Sequence, residues 1–106
     1  MRFRPVITLL TDFGIKDPYV AEMKAVIVSI CPDAQIIDIS HQIEKFNTRI
    51  GAFILASAAP YFPEKTVHVV VIDPQVGTKR RPIIVETKRC FYVGPDNGVL
   101  MLSGEY

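Results

Sequence analysis

The sequence predicts an α/β domain: a mostly parallel sheet built from βαβ crossovers with helices packed on it. Three observations predict it. Residues 67–72 form a near-continuous apolar, β-favouring run that stops abruptly at Asp73-Pro74, the pattern of a strand buried on both faces of a parallel sheet. Two earlier apolar runs, 6–10 and 34–39, are each followed by a stretch of helical periodicity. Each of the three runs ends beside a carboxylate, Asp12, Asp38 or Asp73. In open α/β sheets ligands collect beyond the carboxyl ends of the strands, so a parallel arrangement brings all three to one ligand-facing edge.

The elements follow in order. Strand one, 6–10, feeds the loop Thr11-Asp12-Phe13-Gly14. Asp17 reads as a helix N-cap with Pro18 at the first helical position. The helix then runs to about Cys31, with Val20, Met23, Ile27 and Ile30 on its core face, and Pro32 ends it. Strand two closes on Asp38-Ile39-Ser40-His41. A second helix starts at Asn47 as N-cap, with Ile50, Phe53, Ile54, Ser57 and Ala58 facing inward, and closes before Pro60. After the central strand comes a basic corner, Lys79-Arg80-Arg81. Residues 83–86 and 91–93 then read as a hairpin around Lys88-Arg89. Gly94-Pro95-Asp96-Asn97-Gly98 is a strong turn signal. Residues 99–102 open a further apolar segment.

Length and composition bound the rest. At 106 residues the chain has room for one domain. With 49% apolar and 22% charged residues it is ordinary globular material. A formal net charge of +1 gives no sign of nucleic acid or an anionic membrane as the main partner, and neither is expected. The start, Met-Arg-Phe-Arg before an apolar run, mimics a signal peptide. Thr11-Asp12 cuts it short without a small-residue cleavage site, so none is expected. The longest apolar helix candidate, 50–59, is well under the ~20 residues of a membrane span. Cys31 and Cys90 have neither metal-ligand spacing nor a disulfide framework, which makes the cytoplasm the default location.

Individually the candidate residues have two readings each. Asp12 binds ligand hydroxyls or caps its own loop. Asp17 is a helix cap that can also face a ligand. Phe46 is a hydrophobic staple for the second helix or a plate for a planar ligand, and the staple is the first choice. Asp73 with Arg80 is a site pair or an Asp-Pro turn beside a solvated basic corner. His41 and His68 read as structural, His68 packed and hydrogen-bonded inside the central strand. A dinucleotide fingerprint, a serine elbow and a Cys/His nucleophile pair are all missing. No metal or cofactor is called for; an unrelated scaffold binding a metal through scattered carboxylates is the weakest reading. The residues alone lead to an α/β domain with an acidic ligand site.

The motifs taken together go further. Thr-Asp-Phe-Gly at 11–14, Asp-Pro-Tyr-Val at 17–20, Asp-Ile-Ser-His at 38–41, Asp-Pro-Gln-Val-Gly-Thr at 73–78 and Pro-Asp-Asn-Gly at 95–98 occur in that order. The set resembles the S-adenosyl-L-methionine hydroxide adenosyltransferase family, relatives of fluorinase and chlorinase, over nearly the whole chain. The resemblance implies hydrolysis of S-adenosylmethionine to adenosine and methionine by water attack on the ribose C5′, with no cofactor. It implies catalytic roles for Asp73 and Arg80, and substrate contacts from Asp12, Phe13, Asp17 and Phe46. Asp12 would take the ribose hydroxyls, Asp17 would lie near the methionine end, and Phe46 would pack on the substrate. Asp73 and Val76 stand where the halogenating relatives carry Tyr and Thr, which favours water over halide. Gln75 stands where the hydrolase motif has glycine.

The family chain is over twice as long, with a catalytic His and a C-terminal β domain beyond this stretch. Residues 1–106 are therefore expected to be a truncated N-terminal domain with that second domain absent. It would be incomplete alone, associating as a homo-oligomer (the family forms trimers) or with a companion chain. The competing expectation is an inactive module that still binds adenosine, S-adenosylmethionine or a companion chain.

Overall fold

The computed structural model describes residues 4–72 and 81–100 of the chain. The elements run β1 (Val6–Thr11), α1 (Tyr19–Ile30), β2 (Gln35–Ser40), α2 (Thr48–Ala58), β3 (Val67–Val71), β4 (Pro82–Glu86) and β5 (Phe91–Pro95). A single 3-10 turn, Ala59–Tyr61, follows α2. The strands form one sheet in the order β2-β1-β3-β5-β4. Pairs β1–β2, β1–β3 and β3–β5 are parallel, and only the predicted β4–β5 hairpin is antiparallel. The sheet is therefore α/β and mostly parallel, as predicted, with the 67–72 run at its centre.

The two crossovers run in opposite directions across the sheet, β1 to β2 through α1 and then β2 back past β1 to β3 through α2. Right-handed crossovers then put α1 and α2 on opposite faces. The α2 face holds the core. Leu10, Leu55, Val70, Ile72 and Val99 are fully excluded from solvent there, with Tyr92 and Leu100 nearly so. Burying each large aliphatic side chain contributes roughly 1.5–3 kcal/mol.

The other face is thinner, and two expectations fail on it. Val67, Val69 and Val71 of β3 are only half-buried, so this strand is not sealed on both sides. Helix α1 spans the β1–β2 crossover, away from β3, and buries none of its residues. Its predicted core stripe is half-covered at Val20, Met23 and Ile27. Ile30 is 80% exposed at the helix end, and Val26 and Val28 are exposed too.

Helix α2 departs from its predicted face for a different reason. Gly51, Ala52 and Leu55 point inward, while Ile50, Phe53 and Ser57 are exposed and Ile54 and Ala58 lie between. The helix approaches β3 so closely that a Cβ on Gly51 would sit 2.4 Å from the Ile72 Cδ1. Small residues therefore define its buried stripe, which apolar periodicity overlooks. The Asn47 cap is as predicted, its side-chain oxygen accepting the Ile50 N–H at 3.0 Å. At α1 the cap shifts by one. Pro18 occupies the cap position without a side-chain bond, and Asp17 accepts the Tyr19 N–H at 3.2 Å from one residue further out.

The hairpin turn is organised by Thr87. Its hydroxyl oxygen accepts the Cys90 N–H at 3.1 Å and the Arg89 N–H at 3.3 Å, and its own N–H donates to the Cys90 carbonyl. Among the described residues no helix is long and apolar enough to cross a membrane.

Candidate functional site

Because β1, β2 and β3 run parallel, their carboxyl ends share one edge, and the loops leaving it carry the candidate residues. Asp12 follows directly on β1 and is 8% exposed. Its Oδ2 accepts the backbone N–H of Phe46 at 2.8 Å. Thus two residues singled out from distant parts of the sequence meet at one hydrogen bond. Phe46 sits in the left-handed region, φ +64°, a conformation that costs a non-glycine residue roughly 1–2 kcal/mol. The Asp12 carboxylate helps hold it there. Strain kept by a buried polar contact is typical of ligand-facing loops.

The staple reading of Phe46 does not survive. With Asn47 as N-cap, the residue that would receive a staple is Gly51, which has no side chain. The Phe46 ring is instead 54% exposed at the edge.

Phe13 and Asp17 meet through Tyr19. The Phe13 ring packs edge-on against Tyr19 with centroids 6.0 Å apart, and the exposed Asp17 holds the Tyr19 N–H. Asp12 with Phe46, and Phe13 with Asp17, are thus two pairs on the same edge. Asp73 and Arg80 lie outside the described residues, as does Gln75.

A hydrogen-bond chain absent from the sequence reading stiffens the β1 loop. Lys24 Nζ donates to Asp38 Oδ2 at 2.7 Å, and His41 Nε2 donates to Asp38 Oδ1 at 2.8 Å. In the neutral ring that leaves His41 Nδ1 as acceptor for the Thr11 hydroxyl at 2.8 Å. The Thr11 oxygen accepts the Phe13 N–H at 3.2 Å. The His41 carbonyl accepts the Gly14 N–H at 2.7 Å, across a turn whose φ of +77° suits glycine. Burial works to raise the Asp38 pKa, but the hydrogen bonds from Lys24 and His41 outweigh it, and the carboxyl lies below its ordinary value.

Asn97 adds a second tie. Its amide donates to the Ile72 carbonyl at 2.7 Å, anchoring the 95–98 turn to the end of β3. For Asp12, Asp38 and His41 the signal was their place at strand ends, which singles out an edge but not its bonding partners, and nothing in the sequence marked Lys24. Among the described residues, no group of His, Cys, Asp and Glu side chains could hold a metal ion.

Comparison with known proteins places this edge in context. The family model for the SAM hydroxide adenosyltransferase N-terminal domain matches residues 7–105. A protein of Methanocaldococcus jannaschii named (R)-S-adenosyl-L-methionine hydrolase is 51% identical over 94% of this chain and 40% of its own length. One of the same name from Thermus thermophilus is 44% identical, over 94% and 38%. A fluorinase of Actinopolyspora mzabensis is 35% identical over 80% of the chain and 28% of its own. A crystal structure of an uncharacterized conserved protein from Thermotoga maritima superposes with a TM-score of 0.90 at 48% identity, covering 93% of this chain and 38% of that one. The chain thus spans about 40% of the length of the hydrolases it matches. It belongs to the SAM hydroxide adenosyltransferase family and corresponds to that family's N-terminal domain.

Proposed function

We propose that this chain supplies the ribose-binding edge of an S-adenosyl-L-methionine hydrolase, which forms adenosine and L-methionine by water attack on the ribose C5′. The observation that carries the reading is the Asp12–Phe46 contact at the carboxyl edge. It fixes a buried carboxylate on the backbone of a residue that is itself aromatic and exposed. A carboxylate with one oxygen on a backbone amide still has lone pairs for ribose hydroxyls, and the ring offers a face to a planar group. The exposed Asp17 carboxylate suits the ammonium of the methionine end. The relatives named as hydrolases support the same substrate.

The chemistry asks little of the protein. The sulfonium leaves as a neutral thioether, so no general acid is needed, and the task is to align a water for attack. Asp73 and Arg80 are the residues we assign to that water. An adjacent guanidinium keeps the carboxylate ionised, and the cation favours developing hydroxide. No cofactor enters this scheme. The free cysteines Cys31 and Cys90 fit a cytoplasmic setting. We also assign to the half-buried valine face of β3, with Ile84 71% exposed nearby on β4, association with copies of this chain or a companion chain. Sedimentation at micromolar concentration is expected to show species larger than monomer, and a clean monomer would refute the association with copies of this chain.

Adenosine titrated onto the chain is expected to move the amide resonances of Phe13, Gly14 and Phe46, and Asp12→Asn to weaken binding at least ~tenfold. Silence at these amides, or an unchanged affinity in the variant, would sink the assignment. With S-adenosylmethionine, adenosine release above the spontaneous rate and lost in Asp73→Ala supports the catalytic role. Binding without release would leave the chain a binding module.

A further inference from the structure

A cavity lies at the opposite, amino-terminal edge of the parallel strands, between the end of α2, the segment leading into β3 and the β4–β5 turn. Its volume is about 460 Å³, within the range of small-molecule sites. Ala59, Phe62 and Tyr92 contribute apolar wall, Cys90 lines it, and Lys88 and Arg89 bring two cations to it.

Three features give this cavity a defined form. The His68 ring stacks on Tyr92 at 5.1 Å and meets Phe62 edge-on at 5.5 Å, so the two aromatic wall residues are braced from behind. A wall fixed in advance spares an occupant the cost of ordering it. The cationic turn is also held, by the Thr87 hydrogen bonds and by the Lys65 N–H donating to the Arg89 carbonyl. Finally, among the described residues the ion pairs are Lys24–Asp38 and His41–Asp38, so neither Lys88 nor Arg89 has its charge matched by a carboxylate there.

We propose that this cavity is a binding site for a small amphipathic anion, a planar apolar body carrying a carboxylate or sulfonate. The body would fill the apolar space against Phe62 and Tyr92, and the anionic group would meet Lys88 and Arg89. Neither a neutral aromatic nor a cation matches both parts of the lining. The site lies at the other end of the strands from Asp12 and does not depend on the activity proposed for that edge.

The probe is naphthalene-1-sulfonate, with 1-naphthalenemethanol as the neutral control, on the full chain carrying Cys31→Ser so that Cys90 is the sole thiol. Saturating sulfonate is expected to slow alkylation of Cys90 by iodoacetamide at least ~tenfold. Lys88→Ala with Arg89→Ala, both exposed in the turn, is expected to raise the concentration needed at least ~tenfold, as is the neutral alcohol. Amide shifts of Thr87 and Cys90 in the unsubstituted chain should report the same affinity. No protection at millimolar sulfonate, equal protection by the alcohol, or indifference to the double substitution would each overturn the proposal.

Discussion

Lowering the pH from 7 to 4 is expected to remove about 3 kcal/mol of stability through His68 alone. This side chain is fully excluded from solvent, with Nδ1 2.6 Å from the Thr8 hydroxyl and Nε2 buried without a hydrogen-bond partner among the described residues. Burial pushes its pKa from 6.5 down to about 4. Above pH 6.5 the ring is neutral in both folded and unfolded chains and the stability is complete. Between 6.5 and about 4 the unfolded chain takes up a proton that the folded one refuses, so stability falls throughout that window. At 1.36 kcal/mol for each pKa unit the loss reaches roughly 3 kcal/mol. The check is urea denaturation at pH 7, 5.5 and 4 on the chain and on His68→Gln. The difference in stability between the two should shrink by that amount on acidification. Parallel pH profiles would show that His68 is protonated in the folded state.

The second large effect is expected at Gly51. Replacement by valine should cost ~2–4 kcal/mol, because the new side chain enters space already held by the fully buried Ile72. Thermal unfolding would register it as a fall in Tm of roughly 10 °C or more. The cause can be isolated. Ile72→Val removes the Cδ1 that lies 2.4 Å from the position of the new Cβ. In that background Gly51→Ala should cost less than in the parent and reveal the better helix propensity of alanine, up to ~1 kcal/mol. Strictly additive effects of the two substitutions would mean that the contact is not what selects glycine.

The parallel βαβ sheet and the shared carboxyl edge were legible in the chain because parallel β-structure leaves a strong mark: apolar runs interrupted at Asp12, Asp38 and Asp73 and separated by helical stretches. The Asn47 cap and the Lys88-Arg89 hairpin were legible for the same reason, since each rests on local chemistry. What stayed hidden depends on partners remote in sequence. The buried stripe of α2 is set by how closely the helix approaches Ile72, so Gly51 and Ala52 outrank Ile50 and Phe53. The exposure of α1 follows from which strands its crossover joins. At the site, Asp12 and Phe46 could each be suspected alone, but their hydrogen bond spans 34 residues, and no local pattern announces it. The Lys24–Asp38–His41–Thr11 chain is hidden in the same way, since it joins a helix and two strands.

The sheet order has a further consequence during synthesis. Among the five described strands β1 is made first, yet its partner β3 lies 60 residues downstream, as Thr8 and His68 mark. At ~5–20 residues per second the ribosome needs roughly 3–12 s to deliver that partner. Through this interval β1 can pair with β2 alone, and its other side, Ile7 to Thr11, is an open row of backbone donors and acceptors. The nascent chain is therefore exposed to wrong pairing at what becomes the middle of the finished sheet. Once β3 closes that gap, the hazard moves to the far side of β3 until β5 arrives, and then to the outer strands β2 and β4.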